Sequence, residues 1–332
     1  MPGKIRTSAK ELSLPALKMM TALINEKYMS KIIVIGSSNT DMVIKTKKFP
    51  LPGETVMGGE FFMFSGGKGA NQAVAAARMG AEVILICKTG NDIFGRRAID
   101  EFKKEGIDTR YILQDAAKAS GTALILVDDN GENEIVVAPG ANETLSVLDI
   151  EAAGPLMAES GILLLQLEIP VATVAAAAKK AHALHTKVIL NPAPAQALPP
   201  TIFPSLYLIT PNETEAEILT GIKVSGAASA SLAADKLLQA GVQNVIITLG
   251  AQGAFFKNEQ MEMTVETPPV KAVDTTAAGD VFNGVLAVEI LGGASWHTAI
   301  STACKAAALS VTRMGAQASM PYRNEIAVSH AG

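Results

Sequence analysis

Six short apolar runs do most to limit how this chain can fold: Lys31–Gly36, Val83–Cys87, Ile162–Gln166, Lys187–Leu190, Tyr207–Ile209 and Val245–Thr248. Runs this short and this rich in Ile, Val and Leu read as strands buried on both faces. From Ile162 onward they alternate with helical stretches at 171–183, 213–219 and 228–240, and helices near 278–291 and 296–310 close the chain. Strands alternating with helices imply a parallel sheet with helices on both faces, a three-layer α/β/α sandwich. Such a fold binds ligands at the carboxyl ends of its strands.

Two stretches break this rhythm. Residues 42–64 contain Pro50, Pro52, Gly53, Gly58 and Gly59, and residues 119–138 place Asp129-Asn130-Gly131 between two apolar runs, a hairpin signal. They are expected to pair as a small second sheet, a lid over the strand ends that closes to keep out water. Ser37-Ser38-Asn39-Thr40-Asp41 reads as a polar turn after the first strand. Residues 1–28 combine Lys4, Arg6 and Lys10 with a short apolar stretch that Lys18 interrupts. They read as an appendage without catalytic importance, before one large unit at 29–332.

Composition excludes several classes. The net charge is −4 and no Lys/Arg-rich run occurs, so nucleic acid is not an expected partner. No apolar run approaches the roughly 20 residues of a membrane span. Cys87 and Cys304 lie far apart, which argues against a disulfide framework and suits a reducing cytoplasm. The four histidines have no metal-ligand spacing.

Two glycine-containing helix starts carry the chemistry. The first is Gly66-Gly67-Lys68-Gly69-Ala70-Asn71, where free N–H groups meet the positive end of a helix dipole. It is neither a Walker loop, since Gly follows Lys68, nor a dinucleotide fingerprint, since the third glycine position is Gln72. On its own it is equally a tight turn before a packed helix. The second is Asp274-Thr275-Thr276-Ala277-Ala278-Gly279-Asp280. Small residues at 277–279 allow close approach and an anion hole, with Asp280 beside it in the first helical turn. An anion hole next to a carboxylate suits phosphoryl transfer: one stabilises γ-phosphate charge while the other accepts the proton of the attacking hydroxyl.

With these two signatures the chain resembles the ribokinase family of sugar and nucleoside kinases. The likeness runs over about residues 31–325 and includes Gly36–Asp41, Gln166-Leu167-Glu168, Asn191–Pro194, Pro211–Glu215, Thr248–Gly253 and Gly315-Ala316-Gln317. The resemblance implies ATP-dependent phosphorylation of D-ribose at O5, with Asp280 as general base and an anion hole at Ala277, Ala278 and Gly279. It implies sugar contacts at Asn39, Thr40, Asp41, Gly67, Lys68, Gly69, Ala70, Asn71, Glu168 and Asp280. Nucleotide contacts are implied at Asn212, Thr248, Leu249, Gly250, Ala251, Gln252, Gly253, Gly279 and Asp280, with Cys304 near the adenine where the family pattern has His or Asn. Mg²⁺ is implied through water at Glu215. A K⁺ site is implied at Asp274, Thr276, Ser310, Arg313, Gly315 and Ser319, mostly through backbone carbonyls. A homodimer formed through the lids is implied as well, and self-pairing would cover an otherwise exposed sheet edge. Without the family context Asp41 and Glu168 would read as solvated loop acids. The rival functions are the same chemistry on deoxyribose, fructose or a nucleoside, a sugar sensor without turnover, and a dinucleotide oxidoreductase.

Overall fold

The computed structural model describes residues 31–130 and 132–328; the expected appendage at 1–28 and Gly131 of the hairpin turn lie outside the described residues. The strands in chain order are β1 (Lys31–Ile35), β2 (Asn39–Lys45), β3 (Glu60–Gly66), β4 (Glu82–Ile86), β5 (Lys88–Gly90), β6 (Leu113–Asp115), β7 (Gly121–Val127), β8 (Asn133–Ala138), β9 (Ile162–Leu165), β10 (Lys187–Leu190), β11 (Leu208–Ile209), β12 (Asn244–Thr248), β13 (Ala254–Asn258) and β14 (Glu262–Val265). The longer helices are α1 (Lys68–Arg78), α2 (Ile93–Lys104), α3 (Val171–Ala183), α4 (Glu213–Thr220), α5 (Ala227–Gln239), α6 (Ala278–Leu291) and α7 (Trp296–Ser310).

The main sheet runs β14-β13-β12-β11-β10-β9-β1-β4, parallel from β12 to β4. The antiparallel pair β13–β14 at one edge was not expected from the sequence. Its turn, Asn258–Met261, has no glycine to announce it. The strand residues Ile32–Ile35, Leu163 and Leu164 are almost wholly buried, half toward each helical layer. Each such side chain contributes about 1.5–3 kcal/mol of burial. β1 lies between β9 and β4, so the chain turns opposite ways from its carboxyl end, which opens a crevice there.

The two stretches outside the α/β rhythm pair in the order β3-β2-β7-β8. β2 begins at Asn39, so Asn39, Thr40 and Asp41 are strand residues and not the polar turn expected. They hydrogen-bond on both sides, with Asp41 opposite Phe64 of β3 and Ala123 of β7. Strand alternation then sends Asp41, Val43 and Lys45 to the cleft and Met42 and Ile44 to the other face.

Candidate active site

Close helix packing builds the centre of the site. At Gly284 of α6 an added Cβ would meet Ala75 Cβ at 2.6 Å and the Gln72 carbonyl at 2.7 Å, so α1 and α6 cross in near contact. That crossing sets Asn71 and Gln72 against Asp280. α6 begins at Ala278, after Ala277 in the left-handed conformation (φ 61°), and Asp280 falls in the first turn as expected. Asn71 Nδ2 donates to Asp280 Oδ2 at 2.9 Å, and Gln72 Nε2 donates to Oδ1 at 3.1 Å. Burial pushes the Asp280 carboxyl up, while Lys68 and the two amide donors draw it down. At Gly279 an added Cβ would meet nothing, so the approach to the helix start is open.

The glycine-rich start of α1 wraps against the end of β1. Gly67 has φ 89°, and a Cβ on Gly69 would lie 2.6 Å from Ser37 N and 2.7 Å from Gly36 Cα, so glycine is required. Glu168 closes this turn, accepting from Ser37 Oγ at 2.5 Å and from Lys68 N at 2.9 Å. The Lys68 side chain sits in the field of Asp280, Glu168, Glu215 and Asp41; burial pulls its ammonium down, but those four carboxylates hold it net above its usual range. Asp41 is raised from 3.8 to about 7, by burial first and then by Glu168 and Asp280, against the pull of Lys68. Asn39, Thr40 and Ala70 are buried near this turn.

Two clefts flank the centre. One of about 550 Å³ lies between the small sheet and the 272–276 loop and is lined by Asp41, Val43, Phe64, Thr276 and Gly315. The other, about 440 Å³ and mainly apolar, is lined by Gly250, Ala251, Pro268, Val270, Ala278 and Ala308. Ala272 and Thr275 border both. Asn212 bridges to Thr248 in parallel register, which joins the two segments expected to bind nucleotide. The cleft wall at 267–272 had no motif to mark it in the sequence. Cys304 does not line either cleft: it is buried in the core, its carbonyl accepting from Thr267 Oγ1 at 3.4 Å.

The residues expected to hold ions fit that role unevenly. Glu215 caps its own helix, accepting from Asn212 N at 2.9 Å while Asn212 Oδ1 accepts from Glu215 N. Its other carboxylate oxygen has no hydrogen bond among the described residues and is a hard ligand of the kind Mg²⁺ takes through water. Asp274 accepts from Thr276 N and from Gly315 N, both at 2.9 Å, and Val273 and Asp274 N–H both donate to the Val311 carbonyl. The loop before α6 is thereby tied directly to the segment after α7. The Ser310 and Ser319 hydroxyls bond Ala307 and Ala316 carbonyls, and the Arg313 guanidinium is drawn to Glu325 at 2.6 Å. Backbone carbonyl oxygens and Asp274 are the ligands this segment offers a cation, whereas the Arg313 guanidinium, which carries no acceptor, offers none. Among the described residues no cluster of three or more His, Cys, Asp or Glu forms a metal site by itself.

The pattern of the pfkB family of carbohydrate kinases matches residues 29–323. The chain belongs to that family. It is 45% identical over 294 residues to the ribokinase of Haemophilus influenzae, an alignment covering 89% of this chain and 96% of that one. The crystal structure of ribokinase from Thermotoga maritima superposes with a TM-score of 0.84 at 41% identity, covering 92% of this chain and all of the other. Arabidopsis thaliana ribokinase complexed with ribose and ATP superposes with a TM-score of 0.85 at 29% identity, covering 92% and 99%. The protein is therefore a kinase with the fold expected from its sequence.

Proposed function

We propose that the protein transfers the γ-phosphoryl group of ATP to O5 of D-ribose, giving D-ribose 5-phosphate and ADP. The observation that carries this reading is the buried Asp280 carboxylate, gripped by Asn71 and Gln72, at a helix start left open by Gly279. Ribose lies in the cleft lined by Asp41, with Asn39, Asn71 and Glu168 around it, and ATP in the apolar cleft beside 248–253. The reacting groups meet at the start of α6, where Ala278 lines the apolar cleft and Asp280 stands in the first turn. Asp280 accepts the proton of the 5-hydroxyl as its oxygen attacks phosphorus, and the amides of Ala277, Ala278 and Gly279 stabilise the charge on the transferring group. Mg²⁺, held through water at Glu215, would neutralise phosphate charge, and K⁺ beside Asp274 would stiffen the loop.

The small sheet acts as the lid, and its outer face supports a homodimer. Ile44, Phe61, Leu124 and Val136 are exposed there, Phe61 by 60% and Val136 by 69%. A second copy laid on this face would bury them. Among the described residues no helix is long and apolar enough to cross a membrane.

ADP release measured over ribose, deoxyribose, fructose and nucleosides tests the reading. The highest kcat/KM is expected for ribose. A higher value for another sugar would reassign the substrate, and no release with any would leave a sensor.

A further inference from the structure

Two carboxamides touch Asp280 and three more touch those two. Gln317 Nε2 donates to Asn71 Oδ1 at 3.2 Å, and Asn71 donates on to Asp280. On the other side Gln166 Nε2 donates to Gln72 Oε1 at 2.6 Å, and Gln72 Nε2 donates on to Asp280, sharing its other hydrogen with Asn191 Oδ1 at 3.1 Å. Gln72 and Gln166 are fully buried.

Four of these amides thus turn their positive end toward the carboxylate; the fifth, Asn191, turns its oxygen to Gln72 and donates to the Thr210 carbonyl at 3.3 Å. On the Gln166 side this alignment leaves a polar atom unpaired. Among the described residues Gln166 Oε1 is buried without a hydrogen-bond partner, pressed against Gly36, where an added Cβ would come within 2.2 Å of it. Buried polar atoms are normally paired, so an orphan calls for an explanation. Here the explanation is the charge at the far end of the row. With Gln72 Oε1 already occupied, only the Gln72 N–H groups can face Asp280, and hydrogen bonds from donors favour an ionised carboxylate.

We infer that Gln72, oriented by Gln166, is a positioning residue that keeps Asp280 ionised and aimed at the sugar hydroxyl. This rests on the reading of Asp280 as the base. The charged groups facing Asp280 are Lys68 at the start of α1, Glu168 after β9, Asp41 on β2 and Glu215 on α4. Lys68 favours the ionised form and the three acids oppose it. A substitution at Gln72 leaves all four in place, so a shift in titration reports the lost amide.

The test is the pH dependence of kcat at saturating sugar and MgATP, in wild type, Gln72→Met and Gln166→Met. Methionine keeps the length and apolar bulk but donates nothing. In Gln72→Met the acid limb of kcat should move up by about one pH unit, as loss of a hydrogen bond to a charged group implies. Turnover should then fall about tenfold below the limb and return to within about threefold of wild type well above it. Gln166→Met, which does not touch Asp280, should move the limb in the same direction by less. A loss equal at every pH, with the limb of Gln72→Met unmoved, overturns the inference. Should Gln72→Met not fold, an unmoved limb in Gln166→Met overturns it instead. Asp280→Asn assayed alongside separates the two readings. If it keeps more than about a tenth of wild-type turnover, the base assignment fails. If it collapses while the limbs stay put, only the role of Gln72 fails.

Discussion

Asp41 offers a test that needs no substrate. Its carboxyl is raised from 3.8 to about 7 in the folded protein, chiefly by burial. The unfolded chain returns it to the ordinary value. Between about pH 4 and pH 7 the folded state therefore binds more protons at this group than the unfolded state, and stability falls as pH rises. From these two values the accumulated cost is somewhat under about 2 kcal/mol at pH 5 and somewhat over about 4 kcal/mol at pH 8, a widening of about 2–3 kcal/mol. Asp41→Asn removes that dependence. Urea unfolding of both proteins without sugar, at about pH 5 and pH 8, measures it. The variant should gain on wild type by about 2–3 kcal/mol between the two pH values. Water reaching the cleft would reduce the figure without changing its sign. Curves for the two proteins that stay parallel across the range would refute the argument. Sugar affinity should follow the same proton: an ionised Asp41 accepts hydroxyl hydrogens, so wild-type KM for sugar should drop as pH rises through 7.

Other consequences are more local. Gly69→Ala forces a Cβ to within 2.6 Å of Ser37 N, and should lower stability by about 1–3 kcal/mol in thermal melts while raising the sugar KM. Asp274→Ala removes the acceptor for Thr276 and Gly315 amides, so turnover should fall and any rise on adding K⁺ should flatten, as assays with and without monovalent metal cations would report. Leu124→Glu on the outer face of the small sheet should weaken self-association by about tenfold to a hundredfold, read by sedimentation, with the unfolding midpoint of the dissociated protein little changed.

The parts of this molecule legible in its sequence are those with local causes. Helices 171–183, 278–291 and 296–310 lie where the sequence pattern places them. Asp280 was found because small residues and a carboxylate sit side by side before an apolar helix. Asn39–Asp41 read as a turn because their side chains are polar, whereas in the strand Asp41 faces the cleft and Asn39 accepts from Asn142. Gln72 and Asp280 stand 208 positions apart, and nothing near either announces the pairing. Asn142 was missed for the same reason: it accepts from Ser38 N at 2.9 Å and donates to Asn39 Oδ1 at 2.8 Å, holding the root of the small sheet. The apolar wall at 267–272 is made by the fold alone.

The central claim is that Asp280 takes the proton of the attacking hydroxyl. Single-turnover phosphorylation of ribose by Asp280→Asn, with ribose and ATP binding measured on the same protein by calorimetry, tests it most directly. Asparagine preserves shape but cannot act as a base, so binding should persist while turnover falls about 10²–10⁴-fold. A variant that binds both substrates and keeps more than about a tenth of wild-type turnover would contradict the account.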